Sequence, residues 1–175
     1  MLVTGMTARG PLKVRKVPEK GKVNSDFYIR RVLSPMIKNE LIPMFGDNIN
    51  KVFVHHDKAP SHVSRKMTAF ADEMHAKYGI TFIKKEHIPV KGADISPMDF
   101  HGFGYLKNEI NKIRVRTFEG MCKNLAKIWS EVSVKQCQDT YRSWKSRLVQ
   151  VTKQKGGHIE HIKDIHRHKT TNKQH

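Results

Sequence analysis

The sequence predicts an α/β domain in which a mixed sheet carries helices on its faces. Three observations carry that expectation. Short β-favouring runs and longer amphipathic runs follow one another as strand, strand, helix, strand, helix, strand, and then helices only. At 175 residues and 38% hydrophobic content, with two Trp and eight Phe, the chain can bury one real core, and two full domains would be cramped. The β-favouring run at 52–55 stops at a carboxylate followed by turn residues, which puts Asp57 at the C-terminal end of a strand.

Leu2 to Thr4 and Leu12 to Val17 read as short strands around the turn Ala8-Arg9-Gly10-Pro11, with Leu12 and Val14 on one face. A hairpin therefore opens the chain, and Pro18-Glu19-Lys20-Gly21 breaks it. Asn24 or Ser25 caps a helix whose apolar face runs through Tyr28, Val32 and Met36 towards Leu41. Pro35 and Pro43 are expected to kink or end it, because proline has no N–H to donate and its ring crowds the preceding turn. After the strand Val52-Phe53-Val54-His55 and the pair His56-Asp57, the residues Lys58-Ala59-Pro60-Ser61-His62 read as a turn. A helix from Ser61 follows, with Val63, Met67, Phe70, Met74 and Tyr78 as one buried stripe, closed by Gly79. Ile80 to Ile83 is a further strand, and Pro89 to Pro97 an irregular approach that carries Asp94 and leads to Asp99. Helices are expected over 100–113, 117–129 and 134–151, the second with a capped start at Thr117. Trp129 and Trp144 take helical positions that belong to the core rather than to base stacking.

The charge is the strongest compositional signal. There are 33 Lys and Arg against 16 Asp and Glu, a net charge of +17 spread along the chain, so a polyanion is the natural partner. Cys122 and Cys137 fall in helical stretches, which suggests buried thiols in a reducing compartment rather than a disulfide or a zinc pair. No window approaches a membrane span, and an intracellular protein without membrane contact is expected. Beyond Gly156-Gly157 the chain is polar, with His158, His161, His166 and His168 among Lys and Arg. Their spacing offers no closed ligand set, so residues 156–175 are expected to form a mobile basic tail to a domain spanning 1–155.

Two blocks resemble the signatures of the mariner superfamily of transposases. Val52-Phe53-Val54-His55-His56-Asp57-Lys58-Ala59-Pro60-Ser61-His62 is similar to the family's hydrophobic strand leading into Asp-Asn-Ala-Pro-Ser-His, whose Asp is the second catalytic carboxylate. Asp94-Ile95-Ser96-Pro97-Met98-Asp99-Phe100-His101-Gly102-Phe103 is similar to the block whose last acidic residue is the third, which corresponds to Asp99; Asp94 matches an earlier, non-catalytic Asp. The spacing of Asp57 and Asp99 is close to that of the family's Asp-Asp-Asp and Asp-Asp-Glu subgroups. Lys22 to Ile29 and Lys155-Gly156-Gly157-His158 resemble two further family stretches, so the likeness covers nearly the whole chain.

The resemblance implies a ribonuclease-H-like fold, metal-dependent DNA cleavage and strand transfer, Mg²⁺ or Mn²⁺ held by Asp57 and Asp99, DNA as partner, a nuclear location, and a homodimer in the intact ancestor. The chemistry needs such carboxylates because in-line displacement at a phosphodiester develops negative charge on both the attacking and the leaving oxygen. Hard cations that balance that charge prefer oxygen ligands. Taken singly, Asp57 is an ordinary turn residue and Asp99 a carboxylate favoured by a helix dipole; the two blocks together carry the catalytic reading.

Three departures qualify the likeness. Lys58 stands where the family has Asn, Gly92-Ala93 where it has Ser-Pro, and no strand with a first Asp precedes Met1. The expectation is therefore a truncated fold lacking its first, central strand, in which Leu2–Thr4 and Val52–His55 pair directly or the sheet is poorly stable, and a chain inactive as it stands. A non-catalytic basic nucleic-acid-binding protein is the alternative, and a nuclease in its own right would also need an upstream acid.

Overall fold

The computed structural model describes residues 1–17, 23–57, 59–88 and 95–155, together with 157 and 159. The break at Pro18 to Gly21, Lys58, Gly92, Ala93, Asp94 and the histidines of the tail lie outside the described residues.

The opening hairpin forms as two short ladders. β1 (Leu2–Val3) pairs antiparallel with β4 (Arg15–Lys16), and β2 (Met6–Thr7) with β3 (Gly10–Pro11). A Leu12 N–H to Gly5 carbonyl bond of 2.9 Å continues the hairpin between them. β5 (Phe53–Val54) pairs in parallel with β6 (Thr81–Phe82), and the flanking bonds from Thr81 N–H to Val52 and from Ile83 N–H to Val54 extend that ladder by a residue at each end. A parallel pair needs a crossover, and α2 (Arg65–Tyr78) supplies it. The expected single mixed sheet is thus present as three separate two-stranded ladders among the described residues. Direct pairing of Leu2–Thr4 with Val52–His55 does not occur: β1 takes its bonds from β4, and β5 from β6.

The first long helix differs from its sequence expectation in an instructive way. α1 (25–45) starts at Asn24, whose side chain accepts the Phe27 N–H, and runs through both Pro35 and Pro43 without stopping. A π-helical stretch precedes each proline, Tyr28–Leu33 before Pro35 and Ile37–Leu41 before Pro43. The wider i→i+5 turn absorbs the missing donor and the bulk of the ring, which in a regular α-helix would break the ladder. It also shifts the buried face: Leu33 and Ile37 join Tyr28, Val32 and Leu41 in the core, while Met36 is only partly buried.

α2 begins at Arg65 rather than Ser61, because Pro60–His62 forms a separate short 3₁₀ turn and Ser64 is the residue that caps, accepting the Met67 N–H at 3.2 Å. Val63 consequently falls outside the stripe and is exposed, whereas Met67, Phe70 and Met74 are buried as expected. Gly79 closes α2 in the left-handed conformation, φ +73°, and a Cβ there would lie 2.6 Å from Asn50 Cβ, so this turn requires glycine. α3 (98–110) joins a π-helical turn, Met98–Gly102, to Phe103–Ile110. α4 (Phe118–Ser130) is capped by Thr117, and α5 (Val134–Lys153) by a Ser133–Gln136 capping box.

The main core packs Leu12 of the hairpin with α1, Val52, α2 and Ile80. A second cluster joins Met6 to Trp129, Val132 and Cys137, and a third joins Ile95, Val151 and Ile159 with Trp144 against them. Trp129 is wholly buried and its Nε1–H donates to the Leu12 carbonyl at 2.9 Å, so α4 is bolted to the hairpin. Both cysteines are free and buried.

Candidate active site

β5 runs out of the main core and delivers His55, His56 and Asp57 to the end of the parallel ladder. Asp57 sits in the turn that follows, its side chain 73% exposed. Its Oδ1 accepts two hydrogen bonds, from the Ala59 N–H at 2.9 Å and from His62 Nδ1 at 2.6 Å. The His62 bond is the main reason the carboxyl is held down to about 2; burial opposes it, and the Ala59 N–H and the nearby His56 add to it. Asp57 is therefore a carboxylate at any physiological pH.

Asp99 comes from a second element, α3. It lies in the π-helical first turn of α3, where its N–H bonds the Ser96 carbonyl at 2.9 Å. Two contacts fix that turn. The buried Arg147 guanidinium of α5 lies 4.1 Å from the Phe100 ring centre, and Gly102 lets Met98 and Trp129 approach so closely that a Cβ would meet them at 2.9 and 3.2 Å. π-helical turns recur where a side chain must be re-aimed at a site, and this one carries the candidate ligand.

The two aspartates, separated by all of α2, β6 and the segment after it, both act on His55 through their charge. His55 is pulled down from its ordinary value by burial, while the charges of Asp99 and Asp57 both pull it back up, so the imidazole lies within electrostatic reach of both carboxylates. Its Nε2 is buried and has no hydrogen-bond partner among the described residues. His56 is pushed down to about 4, chiefly by burial and then by His62, and its Nδ1 is likewise buried and unpartnered. His101, two residues beyond Asp99, is lowered by burial and also keeps an unpartnered Nε2. Beneath Asp57, Tyr28 of α1 stacks on His62 with ring centres 3.9 Å apart, and His56 stacks on the same ring at 5.0 Å. Burial and the Asp57 charge raise the Tyr28 hydroxyl above its usual range, so it stays protonated.

The charges of both predicted ligands reach His55, and no group of three His, Cys, Asp or Glu is arranged to chelate a metal among the described residues. A pair of hard oxygen donors suits Mg²⁺ or Mn²⁺, which keep several waters when a protein offers few carboxylates. The donor set fits such an ion on chemical grounds: Asp57 Oδ2 has no protein donor among the described residues, and His55, which feels the charge of both aspartates, keeps a buried Nε2 without a partner among those residues. Sequence pattern assigns no place in the site to His55, His56, His62 or Tyr28. A turn histidine five residues after Asp57 was a visible signal, but its contact depends on the 3₁₀ turn at Pro60–His62, and the Tyr28 contact joins elements distant in sequence.

No family model matches the chain, and no curated protein matches it. Solved structures do. The crystal structure of the catalytic domain of Mos1 mariner transposase superposes with a TM-score of 0.75 at 17% identity, covering 91% of this chain and 76% of that one. The fold is that of a mariner transposase catalytic domain. The Mos1 catalytic domain solved with Raltegravir and Mn gives a TM-score of 0.71 at 16% identity, covering 91% and 77% of the two chains. A pre-cleavage Mos1 transpososome gives 0.74 at 16% identity, covering 91% of this chain and 45% of that one. The ribonuclease-H-like α/β architecture expected from the two sequence blocks is met at the level of fold.

Proposed function

We propose that this chain is the catalytic-domain portion of a mariner-type transposase, with Asp57 and Asp99 as its two metal-binding carboxylates and DNA as its substrate. One observation carries the reading: the charges of two carboxylates from separate sequence blocks both reach His55, on a fold shared with the Mos1 catalytic domain. Solved neighbours include that domain with Mn and a transpososome, which supports divalent metal and DNA as the partners here.

In the reading, Asp57 and Asp99 would hold Mg²⁺ or Mn²⁺, which when bound activates a water or 3′ hydroxyl and stabilises the charge on the attacking and leaving oxygens. The chain's own residues set the stage. The depressed Asp57 stays ionised, the turn after β5 and the first turn of α3 carry the two carboxylates, and the basic surface holds the phosphodiester backbone without reading its sequence. A net charge of +17 makes that binding strongly salt-dependent. Residues 1–155 form the catalytic portion and 156–175 a basic tail, and DNA as the partner fits a nuclear location.

With two of three family carboxylates, we propose that a chain of these 175 residues does not carry out strand transfer. A plasmid cleavage assay with Mg²⁺ or Mn²⁺ tests this, and robust turnover abolished by Asp57→Ala would show that two carboxylates suffice. The second reading, a basic DNA-binding protein that keeps only the fold, is favoured by the charge alone. It predicts DNA affinity that falls steeply with salt and ignores both metal and Asp99→Ala.

A further inference from the structure

We propose that His62 is the positioning residue of the metal site, clamping one oxygen of Asp57 so that the other is presented to the cation. The inference rests on Asp57 being a metal ligand, as proposed above. An aspartate in an exposed turn samples several rotamers, and a ligand that must be ordered on binding loses affinity to that ordering. Here the ordering is already done. Ala59 N–H and His62 Nδ1 converge on Oδ1 at 2.9 and 2.6 Å, and the same Nδ1 lies 3.3 Å from Asp57's own carbonyl, so one ring N–H bridges its side chain and backbone. Because both of those oxygens are acceptors, the contact assigns the proton to Nδ1. Oδ2 remains the one carboxylate oxygen without a donor among the described residues.

The clamp is anchored below. The His62 side chain is only 12% exposed and packs against the Tyr28 ring, 3.9 Å between ring centres, and the His56 ring, 5.0 Å. Tyr28 belongs to the main core on α1. Position is therefore transmitted from the core through Tyr28 and His62 to Asp57, the arrangement by which an outer residue orients a metal-binding carboxylate. A histidine that only filled space would need neither the 2.6 Å contact nor two donors on one oxygen.

The test is Mn²⁺ affinity of the full chain without DNA, read from the free-ion electron paramagnetic resonance signal, alongside thermal melting. His62→Phe keeps a ring for the stack and loses the donor; His62→Asn keeps a donor near the Nδ1 position. We expect His62→Phe to weaken Mn²⁺ binding about tenfold or more, the range in which loss of an outer-shell partner acts, and His62→Asn, which keeps a donor, by no more than about threefold. Where His62→Phe is unfolded at the assay temperature, His62→Gln takes its place, since its amide lies near the Nε2 position. Unchanged affinity in His62→Phe, with affinity lost in Asp57→Asn, overturns the positioning role and leaves the metal site standing. Equal loss in His62→Phe and His62→Asn also overturns it, because the donor would then be irrelevant. Affinity unchanged in Asp57→Asn removes the metal site, and the inference with it.

Discussion

Replacing Glu40 by Gln removes the charge that fastens the N-terminal hairpin to α1. Glu40 takes the Arg15 guanidinium on Oε1 and the Lys13 N–H on Oε2 at 2.6 Å, with side-chain exposures of 7% for Glu40 and 15% for Arg15. Removing one partner of a buried pair costs about 3–5 kcal/mol, because the other charge is left unpaired. Two features lower that figure. Arg15 keeps a second bond, from Nη1 to the Lys13 carbonyl at 2.9 Å, and the Gln carbonyl can still accept the Lys13 N–H. A loss of about 2–3 kcal/mol is expected, or about 4–12 °C in Tm for a chain of this size. Urea unfolding followed by circular dichroism measures it, with the slope of the transition unchanged. A loss below about 0.5 kcal/mol, the value of an exposed pair, would refute the reasoning and show that apolar contacts around Leu12 hold the hairpin alone.

Three further outcomes follow from the geometry. Trp129→Phe deletes the indole donor to the Leu12 carbonyl, but Thr4 Oγ1 bonds the same carbonyl at 2.9 Å, so urea unfolding should show a loss of only about 1–2 kcal/mol. Gly79→Ala combines a left-handed backbone with a 2.6 Å approach to Asn50 and should cost about 2–4 kcal/mol by thermal melting; an unchanged Tm contradicts the turn geometry. His56 titrates near 6.5 when unfolded and about 4 when folded, so between those values the unfolded chain binds the extra proton and stability falls as pH falls. The contribution, about 3 kcal/mol in the metal-free chain, is complete above pH 6.5 and lost by about pH 4; urea midpoints should show it, and His56→Phe should flatten it. Asp57 extends the loss downward, since its stabilisation is present above 3.8 and fades as pH falls towards about 2.

What could be seen in the sequence was whatever depends on local pattern. The helix caps at Asn24 and Thr117, the stripe Met67-Phe70-Met74, the Gly79 closure and the carboxylate at the end of β5 are each set by a few adjacent residues. What local pattern could not show was how non-local terms resolve. Kinks or a helix end were expected at Pro35 and Pro43, yet tertiary burial of Leu33, Ile37 and Leu41 favours one continuous helix, and π turns meet the cost. The division of the sheet into three ladders depends on which strand edges meet in space. The two aspartates were legible because each sits in a recognisable block. Their histidine surroundings were not, because the Tyr28–His62–Asp57 contacts join α1 to a turn far along the chain.

The central claim is that Asp57 and Asp99 hold a divalent cation together, and a double-substitution cycle on Mn²⁺ affinity tests it most directly. If the two carboxylates share the ion, Asp57→Asn and Asp99→Asn should each weaken binding by about tenfold or more, and the double variant should bind little worse than the weaker single one, because contacting residues are not additive. Binding that survives Asp99→Asn unchanged, or losses that simply add, would mean that the two carboxylates face different ions or none.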